Sequence, residues 1–186
     1  MSDQEQNSTF TRFSAFRIAS LAILIAVTTV FTYLIRIPTA PTRGYLNLGD
    51  VAVFFTAITF GPFSALIAGG LGTALADIIS GYAQWAPITF FAHGLQGFII
   101  GLIIFVHRKN STAAGVGIVR LIAAFLGATV IMAGTYFTAG GFMYGFSAAA
   151  TEVPGNILQN VAGVLVGYPL ALAVRKAYPP VLSYKW

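Results

Sequence analysis

The stretch FSAFRIASLAILIAVTTVFTYLI, residues 13–35, decides the fold class. Its 23 residues include Arg17 as the single charged side chain. As a helix rising ~1.5 Å per residue, it is long enough to cross the ~30 Å hydrocarbon core of a bilayer. It is longer than the apolar core of a signal peptide, roughly 7–15 residues, and no small-residue cleavage site follows it. We therefore expect a retained transmembrane helix.

The composition extends this conclusion from one helix to the whole chain. The 186 residues are 57% hydrophobic and 8% charged, whereas soluble domains average about 45–50% and 25%. So few charged side chains cannot cover a globular surface in water. The sequence therefore predicts an all-α integral membrane protein. Because the chain has no cysteine, disulfides and cysteine-ligated metals are excluded, and we predict no metal site and no cofactor bound by this chain.

Five further apolar segments follow the first. The second holds about a dozen residues before Gly61 and Pro62, so it is short or begins inside the preceding loop. The other predicted spans are residues 62–80, 88–106, 116–139 and 151–174. The last connection, GGFMYGFSAAA at 140–150, is predicted to pack as a partly ordered cap. The sequence predicts a six-transmembrane-helix bundle in a single domain, residues 13–176, with a polar N-terminal tail at 1–12 and a C-terminal tail at 177–186.

The basic residues predict the orientation, because cytoplasmic loops carry an excess of Lys and Arg near the ends of the spans. Arg36 and Arg43 lie on one side of the predicted bundle. The other eight of the ten lie opposite: Arg12, Arg17, Arg108, Lys109, Arg120, Arg175, Lys176 and Lys185. Both termini are therefore predicted to be cytoplasmic. Membrane topology accounts for the net charge of +5, so no nucleic-acid partner is predicted.

Small residues form stripes on three of the predicted helices. The first helix carries Ala15, Ala19, Ala22 and Ala26 on one face. Such a face lets two helices approach closely, either inside this bundle or against a partner membrane subunit. The glycines of helix three (69, 70, 72) and helix four (94, 97, 101) are assigned mainly to packing inside the bundle.

Two polar stripes predict the functional site. In helix six, Glu152, Asn156 and Gln159 recur at helical spacing, with Asn160 beside them. In helix four the stripe is Thr89, His93 and Gln96, preceded by Gln84 and Trp85. Polar side chains are costly against lipid. The stripes therefore line a ligand pocket at the extracellular end or form a buried hydrogen-bond network.

Aromatic residues cluster at the same end of the predicted bundle. They are Tyr45, Tyr82, Trp85, Tyr136 and Tyr144. They belong either to an interfacial belt or to the stacking walls of a pocket for a flat heteroaromatic ring. Tyr45 and Asn47, in the loop after the first helix, are included in the predicted substrate site.

Three carboxylates at or within the spans have separate interpretations. Asp50 opens helix two, where it is interpreted as a structural cap. Asp77 lies near the C-terminal end of helix three, so it needs a compensating donor and is predicted to form an ion pair with Arg36 or Arg43. Glu152 follows a possible N-cap, Thr151, with Pro154 in the first turn. The polar stripe beneath it favours ligand contact.

The chain lacks motifs for independent energy coupling or catalysis. No GxxxxGK[ST] phosphate loop, HExxH motif or GxSxG elbow occurs, so the chain is not predicted to be an enzyme or to hydrolyse ATP. Two alternatives remain open. One is a carrier or channel that works without a partner, and the other is an intramembrane hydrolase using His93 with Ser80 or Ser147.

The stretches YLNLGDVAVFFTAITFGPFSALIAGGLGTALADIISG and ITFFAHGLQGFIIGLI resemble the substrate-binding S component of energy-coupling factor (ECF) vitamin transporters. The resemblance covers roughly residues 45–103 and includes Gly49-Asp50, Gly61-Pro62, Ala76-Asp77 and Gly81. It implies six helices, cytoplasmic termini and an outward-facing vitamin pocket capped by the loop after helix one. It also implies docking to a membrane T component that carries two ABC-type ATPases, which use the ATP.

Within that family the sequence is most similar to the group assigned to hydroxymethylpyrimidine, a thiamine precursor, or to pyridoxine-type substrates. The resemblance thus implies a subunit that captures a small heteroaromatic vitamin or precursor outside the cell and reorients to release it inside. The low number of outside cations and the presence of Glu152 fit a neutral or weakly basic ring.

Overall fold

The computed structural model describes residues 3–105 and 116–183, which form a helical bundle with a β-hairpin at one end. The elements are α1 Asp3–Leu34, β1 Arg36–Thr39, β2 Gly44–Asn47, α2 Gly49–Phe60, α3 Pro62–Ile79, α4 Ala86–Phe105, α5 Ile118–Tyr144, α6 Phe146–Ala162, a π-helical turn Gly163–Gly167, α7 Tyr168–Ala177 and a 3₁₀ turn Pro179–Ser183. The predicted connection at 107–115, with His107, Arg108 and Lys109, lies outside the described residues, as does Lys185.

Membrane-spanning length is reached by five helical segments within the described residues. They are Ala15–Leu34, Pro62–Ile79, Ala86–Phe105, Ile118–Tyr144 and Phe146–Ala177, the last of which joins α6, the π-helical turn and α7. The apolar α2 has 12 residues, which confirms that the second helix is short. At ~1.5 Å per residue it rises roughly 18 Å.

The short α2 lies at the centre of the bundle, and nearly all of its residues are buried. Val53, Phe54, Ala57 and Ile58 pack in one hydrophobic cluster with residues of α3, α4, α5 and α7. At its C-terminal end, the buried Arg175 of α7 donates a hydrogen bond to the carbonyl of Ile58. The last carbonyls of a helix have no partner within it, so this contact joins α7 to α2. Because other helices surround α2, it does not need the length of a lipid-exposed span.

The glycines of α3 and α4 pack inside the bundle, as predicted. A Cβ atom placed on Gly97 would lie 2.9 Å from the carbonyl oxygen of Ala65, and one on Gly69 would lie 2.9 Å from that of His93. These distances leave no room for a side chain. The absent side chains therefore let the backbones of α3 and α4 come together.

The predicted cap between the fifth and sixth helices is wrong. Helix α5 continues to Tyr144, α6 begins at Phe146, and Gly145 alone forms the turn, with φ 94° and ψ 144°. Gly140 does not break α5, because it packs against Ala149 of α6, where a Cβ atom would lie 3.4 Å from the Ala149 Cβ. The alanines after Gly145 favour helix. The sixth helix thus starts five residues earlier than predicted, at 146 instead of 151.

A second difference is the β-hairpin in a chain predicted to be all-α. Strands β1 and β2 pair antiparallel, with Arg36 opposite Asn47 and Thr39 opposite Gly44. Arg43, in the turn, adopts a positive φ of 50°. The hairpin fixes the path of the loop after α1, and it thereby positions Tyr45 and Asn47 over the bundle. Helix α1 begins at Asp3, so its backbone includes most of the predicted polar tail.

Candidate ligand-binding site

A small cavity lies beneath the β-hairpin, between the hairpin and the helices. Its volume is about 20 Å³, which is room for a water molecule, whereas sites for drug-sized ligands measure ~300–1,000 Å³. The lining residues are Gly44, Tyr45, Asn47, Asp77, Trp85, Thr89, Tyr136, Glu152, Asn156 and Gln159. The cavity therefore has two carboxylates, three carboxamides and three aromatic rings in its wall.

One wall is the polar stripe that the sequence places on the sixth helix. Glu152, Asn156 and Gln159 share one face of α6 because they are spaced by four and three residues. The side-chain oxygen of Gln159 accepts a hydrogen bond of 2.5 Å from the backbone N–H of Asn47. Glu152 accepts one from the hydroxyl of Thr42 in the hairpin turn. These two bonds hold the hairpin against α6 and close the cavity.

The opposite wall contains Asp77, which is 3% exposed near the C-terminal end of α3. The Tyr45 hydroxyl donates a hydrogen bond of 2.6 Å to its Oδ1 atom. Burial, together with the neighbouring Asp77 carboxylate, raises the pKa of the Tyr45 hydroxyl above its ordinary value. Tyr45 therefore remains protonated at physiological pH and is a donor to Asp77.

The predicted ion pair of Asp77 with Arg36 or Arg43 is wrong. Within the described residues, neither arginine is within ion-pair distance of Asp77. The guanidinium of Arg36 lies 4.3 Å from the ring centroid of Tyr33, and Arg43 is exposed in the hairpin turn. The hairpin directs Tyr45, rather than an arginine, toward α3.

Aromatic rings line the end of the cavity near α5. The Trp85 ring stacks on Tyr144 at a centroid distance of 5.8 Å and meets Tyr136 edge-on at 5.7 Å. The Tyr136 hydroxyl donates a hydrogen bond of 2.8 Å to Thr89 on α4. These contacts fix the ring planes, and such walls suit a flat heteroaromatic ligand.

Below the cavity, four buried polar side chains join α2, α4 and α6. We call them the buried network: Asp50, His93, Gln96 and Asn160. The Gln96 amide donates to Oδ1 of Asp50 at 2.7 Å and to Oδ1 of Asn160 at 2.9 Å. The His93 Nδ1 atom lies 2.8 Å from the Gln96 side-chain oxygen and 3.3 Å from Asp50. The polar stripe of the fourth helix thus divides, with Thr89 at the cavity and His93 and Gln96 beneath it.

Asp50 does not cap α2, which corrects its interpretation as a structural cap. The N-terminal residues of α2 have no side-chain cap from it, and its carboxylate joins the buried network. The hydrogen bond to the backbone N–H of Gly49 comes instead from the Asn47 side chain, at 2.7 Å. Asn47 therefore holds the hairpin–α2 junction as well as lining the cavity.

Two other predictions, one about the site and one about a helix start, are wrong. Gln84 is exposed and lies outside the cavity lining. Thr151 and Pro154 do not mark a helix start, because α6 begins at Phe146 and Pro154 lies inside it. Glu152 is consequently on the second turn of α6, directed to the hairpin.

Two cavity residues, Tyr136 and Asp77, are absent from the predicted substrate site. The sequence leaves Tyr136 either in an aromatic belt or in a stacking wall, and it predicts a structural ion pair for Asp77. The signal that distinguishes Asp77 is its place near the C-terminal end of a helix, where an anion needs a donor. The donor itself could be identified only from the hairpin.

The hydrolase alternative requires His93 to lie beside Ser80 or Ser147. The His93 ring is bonded to Gln96 and lies next to Asp50, and no hydrogen bond joins it to Ser80 or Ser147 within residues 3–105 and 116–183. Within the same residues, no three Asp, Glu or His side chains gather as a metal site.

The alanine stripe of α1 faces away from the bundle. Ala15, Ala19, Ala22 and Ala26 are all exposed. The packing face of α1 carries Leu24, Thr28 and Thr32, which are buried, and the Thr29 hydroxyl donates to the carbonyl of Gly72 on α3 at 2.9 Å. Of the two interpretations of the stripe, packing inside this bundle is therefore wrong.

Comparison with known proteins identifies similar sequences. The family model described as ECF-type riboflavin transporter, S component, matches residues 12–176. The thiamine precursor transporter HmpT of Lactococcus lactis subsp. cremoris is 31% identical over 161 residues, which cover 86% of this chain and 88% of that protein. An uncharacterised protein of Pyrococcus woesei is 37% identical over 155 residues, covering 83% of this chain and 99% of that protein.

Proposed function

Because the chain belongs to the family of ECF-type riboflavin transporter S components, we propose that its cavity captures a thiamine precursor of the hydroxymethylpyrimidine type. As an S component, the chain is the substrate-binding subunit of a transporter and a multi-pass protein of the cell membrane. The relative with 31% identity is named a thiamine precursor transporter, which supports a pyrimidine over the larger riboflavin.

The observation that carries this proposal is the chemistry of the cavity wall. Asp77 and Glu152 are acceptors, Asn156 and Gln159 offer both donors and acceptors, and Trp85 supplies a ring face. No Lys, Arg or His stands among the described lining residues. A phosphate group would therefore meet two carboxylates without a compensating cation. The wall favours an unphosphorylated, neutral or weakly basic heteroaromatic ring.

A pyridoxine-type ligand is the second candidate, since its ring also bears hydroxyl groups and one basic nitrogen. Either ligand requires the hairpin to move, because the cavity volume is about 20 Å³. The contacts of Thr42 with Glu152 and of Asn47 with Gln159 must then break or lengthen. This motion agrees with a pocket capped by the loop after helix one.

Calorimetry on the purified chain in detergent, without partner or nucleotide, tests the proposal. We expect one-to-one binding of hydroxymethylpyrimidine and weaker or no binding of pyridoxine, pyridoxamine, thiamine and riboflavin. Absence of binding by hydroxymethylpyrimidine, or tighter binding of riboflavin, contradicts the proposal. A partner-independent carrier or channel is tested separately, because it transports in proteoliposomes without ATP.

A matched pair of glutamine variants localises the binding. Gln159→Ala removes a side chain of the cavity wall and is expected to lower affinity about tenfold. Gln84→Ala makes the same change at an exposed position and should leave affinity unchanged. Equal affinities of the two variants would place the ligand elsewhere.

The proposed membrane topology has six crossing helices and both termini in the cytoplasm. It treats α2 as a short crossing helix inside the other five and divides the chain into a membrane domain, residues 13–176, and tails at 1–12 and 177–186. The hairpin with Arg36 and Arg43 is then extracellular, and Arg17, Arg120 and Lys176 are cytoplasmic. The distribution of basic residues supports this orientation.

The proposed partners are a membrane T component and two ABC-type ATPases, which use the ATP, so the chain itself binds no cofactor. The exposed alanine stripe of α1 supports this assembly, because small side chains on a lipid-facing surface let a partner helix approach closely. We assign Ala15, Ala19, Ala22 and Ala26 to that contact.

A further inference from the structure

Two polar atoms in the cavity wall have no hydrogen-bond partner among the described residues: Oδ2 of Asp77 and Nε1 of Trp85. Each of these side chains is 3% exposed. Buried polar atoms are nearly always hydrogen-bonded in native proteins, and leaving one unpaired costs the free energy of its lost hydration. The two atoms therefore mark positions where a ligand supplies the missing hydrogen bonds.

The two atoms need different hydrogen-bond partners: Oδ2 of Asp77 needs a donor, and Nε1 of Trp85 needs an acceptor. An ionised carboxylate only accepts hydrogen bonds, and the indole N–H only donates. Oδ1 of Asp77 already accepts from Tyr45, so Oδ2 is left to accept from the ligand. The nearby Thr89 hydroxyl already accepts from Tyr136. The same hydroxyl also interacts with the Asp77 side chain. A carboxylate has about four lone-pair sites, so Asp77 retains the capacity to accept a hydrogen bond from a ligand.

We propose that Asp77 is the specificity-determining residue of the capture site and selects an aromatic ring that carries an exocyclic amine. In this arrangement Oδ2 of Asp77 accepts from the amine, and Trp85 donates to a ring nitrogen or hydroxyl oxygen of the same ligand. The inference rests on the proposed function and deepens it, since it distinguishes aminopyrimidines from pyridoxine, whose ring has no such amine.

The physical basis for selection is the cost of an unpaired carboxylate. A site built to hydrogen-bond a ligand N–H strongly rejects an analogue that lacks it, because the buried partner is then left unpaired. A hydrogen bond to a charged group corresponds to roughly 10- to 150-fold in affinity. We expect wild-type protein to bind hydroxymethylpyrimidine about 100-fold more tightly than the deamino analogue, in which hydrogen replaces the amine.

The test compares these two compounds by calorimetry on the full chain and its variants. Asp77→Asn keeps the shape of the side chain but presents either an amide oxygen or an N–H₂ group. It should lower affinity for hydroxymethylpyrimidine about 100-fold and leave that for the deamino analogue within about threefold. Trp85→Phe keeps a ring face but removes the indole N–H, so it should lower the affinity for both compounds by the same factor.

Tyr45→Phe is the matched control, because it removes the hydroxyl bonded to Asp77 and keeps the carboxylate. It should retain the preference for the amine. If Asp77 had only a structural role, each of the variants Tyr45→Phe and Asp77→Asn would lower the affinity for the amino and the deamino compound by the same factor. Thermal melting of each variant verifies folding.

The outcomes separate this inference from the proposed function. Wild-type binding of hydroxymethylpyrimidine with an unchanged preference in Asp77→Asn overturns the role of Asp77 alone. Equal wild-type affinities for the amino and deamino compounds overturn amine selection even if no Asp77 variant folds. A wild-type chain that binds neither compound contradicts the proposed function, and the inference with it.

Discussion

At the residue scale, Gln96 is the residue on which the buried network depends. Its amide donates to Asp50 and Asn160, and its oxygen lies next to the His93 ring. Gln96→Leu removes all three contacts at a fully buried position and deprives the Asp50 carboxylate of its hydrogen bond from the Gln96 amide. Breaking a buried charged group's hydrogen bonds costs about 3 kcal/mol, so we expect a clear fall in the thermal unfolding midpoint in detergent.

Gln84→Leu is the control for this prediction, because it makes the same substitution at an exposed position. Its effect on stability should lie within about 0.5 kcal/mol. If Gln96→Leu melts like Gln84→Leu, the buried network does not stabilise the junction of α2, α4 and α6.

The residue scale also shows how far a helical pattern predicts a site. The spacing of Glu152, Asn156 and Gln159 assigned them to one face, and that face lines the cavity. The same spacing did not reveal that His93 lies deeper than Thr89, since periodicity gives a direction around the helix and not the position of neighbouring helices. The bond from Tyr45 to Asp77 depends on the path of the hairpin, so no local pattern contains it.

At the element scale, the packing of α3 on α4 depends on glycine. A Cβ atom on Gly97 would lie 2.9 Å from the backbone oxygen of Ala65 and 3.0 Å from its Cβ atom. Overpacking of this kind costs ~1–3 kcal/mol, which exceeds the helix-propensity gain of up to about 1 kcal/mol. Gly97→Ala should therefore lower the unfolding midpoint.

Gly134→Ala in α5 is the matched substitution. Among the described residues, no atom outside the adjoining backbone of α5 lies within 4 Å of a Cβ atom placed there. The change therefore gains helix propensity without a clash and should leave stability unchanged or slightly raised. The prediction is contradicted if the two variants shift the unfolding midpoint in the same direction by similar amounts.

Some helix ends could be predicted from the sequence and others could not. The long apolar runs and Pro62 gave the ends of α3 to within one residue, because proline is favourable in the first turn of a helix. The run GGFMYGFSAAA was predicted to interrupt the helices, yet only Gly145 adopts a conformation that ends one. Positions 140 and 141 are occupied by glycine because α6 packs closely against both of them. Sequence alone does not distinguish a glycine that turns the chain from one that admits a neighbour.

At the scale of the whole molecule, the proposed orientation is tested by labelling single cysteines. The chain has no cysteine of its own, so Arg43→Cys and Arg120→Cys each introduce one thiol at an exposed position. With the hairpin outside, a membrane-impermeant maleimide added to intact cells should label Arg43→Cys and should label Arg120→Cys only after permeabilisation. The reverse pattern would invert the topology.

The alanine stripe of α1 separates capture of the ligand from its transport. It lies on the outside of α1, whereas the cavity is formed by the hairpin and by residues of α3, α5, α6 and the start of α4. Ala19→Leu or Ala22→Leu adds bulk to the proposed contact with the T component without touching the cavity wall. We expect unchanged ligand affinity in the isolated chain and at least a tenfold loss of uptake when the partner subunits are present, because a leucine keeps the helices apart.

Ala123→Leu is the control for the stripe. It makes the same substitution at an exposed position of α5, so it alters lipid-facing surface in the same way but away from the proposed contact. Uptake by Ala123→Leu should equal that of the wild type. Normal uptake by the α1 variants would show that α1 is not part of the partner interface. Equal losses of uptake in Ala19→Leu, Ala22→Leu and Ala123→Leu would show that added bulk anywhere on the membrane surface impairs transport. A loss confined to the α1 variants, with ligand affinity intact, requires that capture and energy coupling occupy different faces of the molecule.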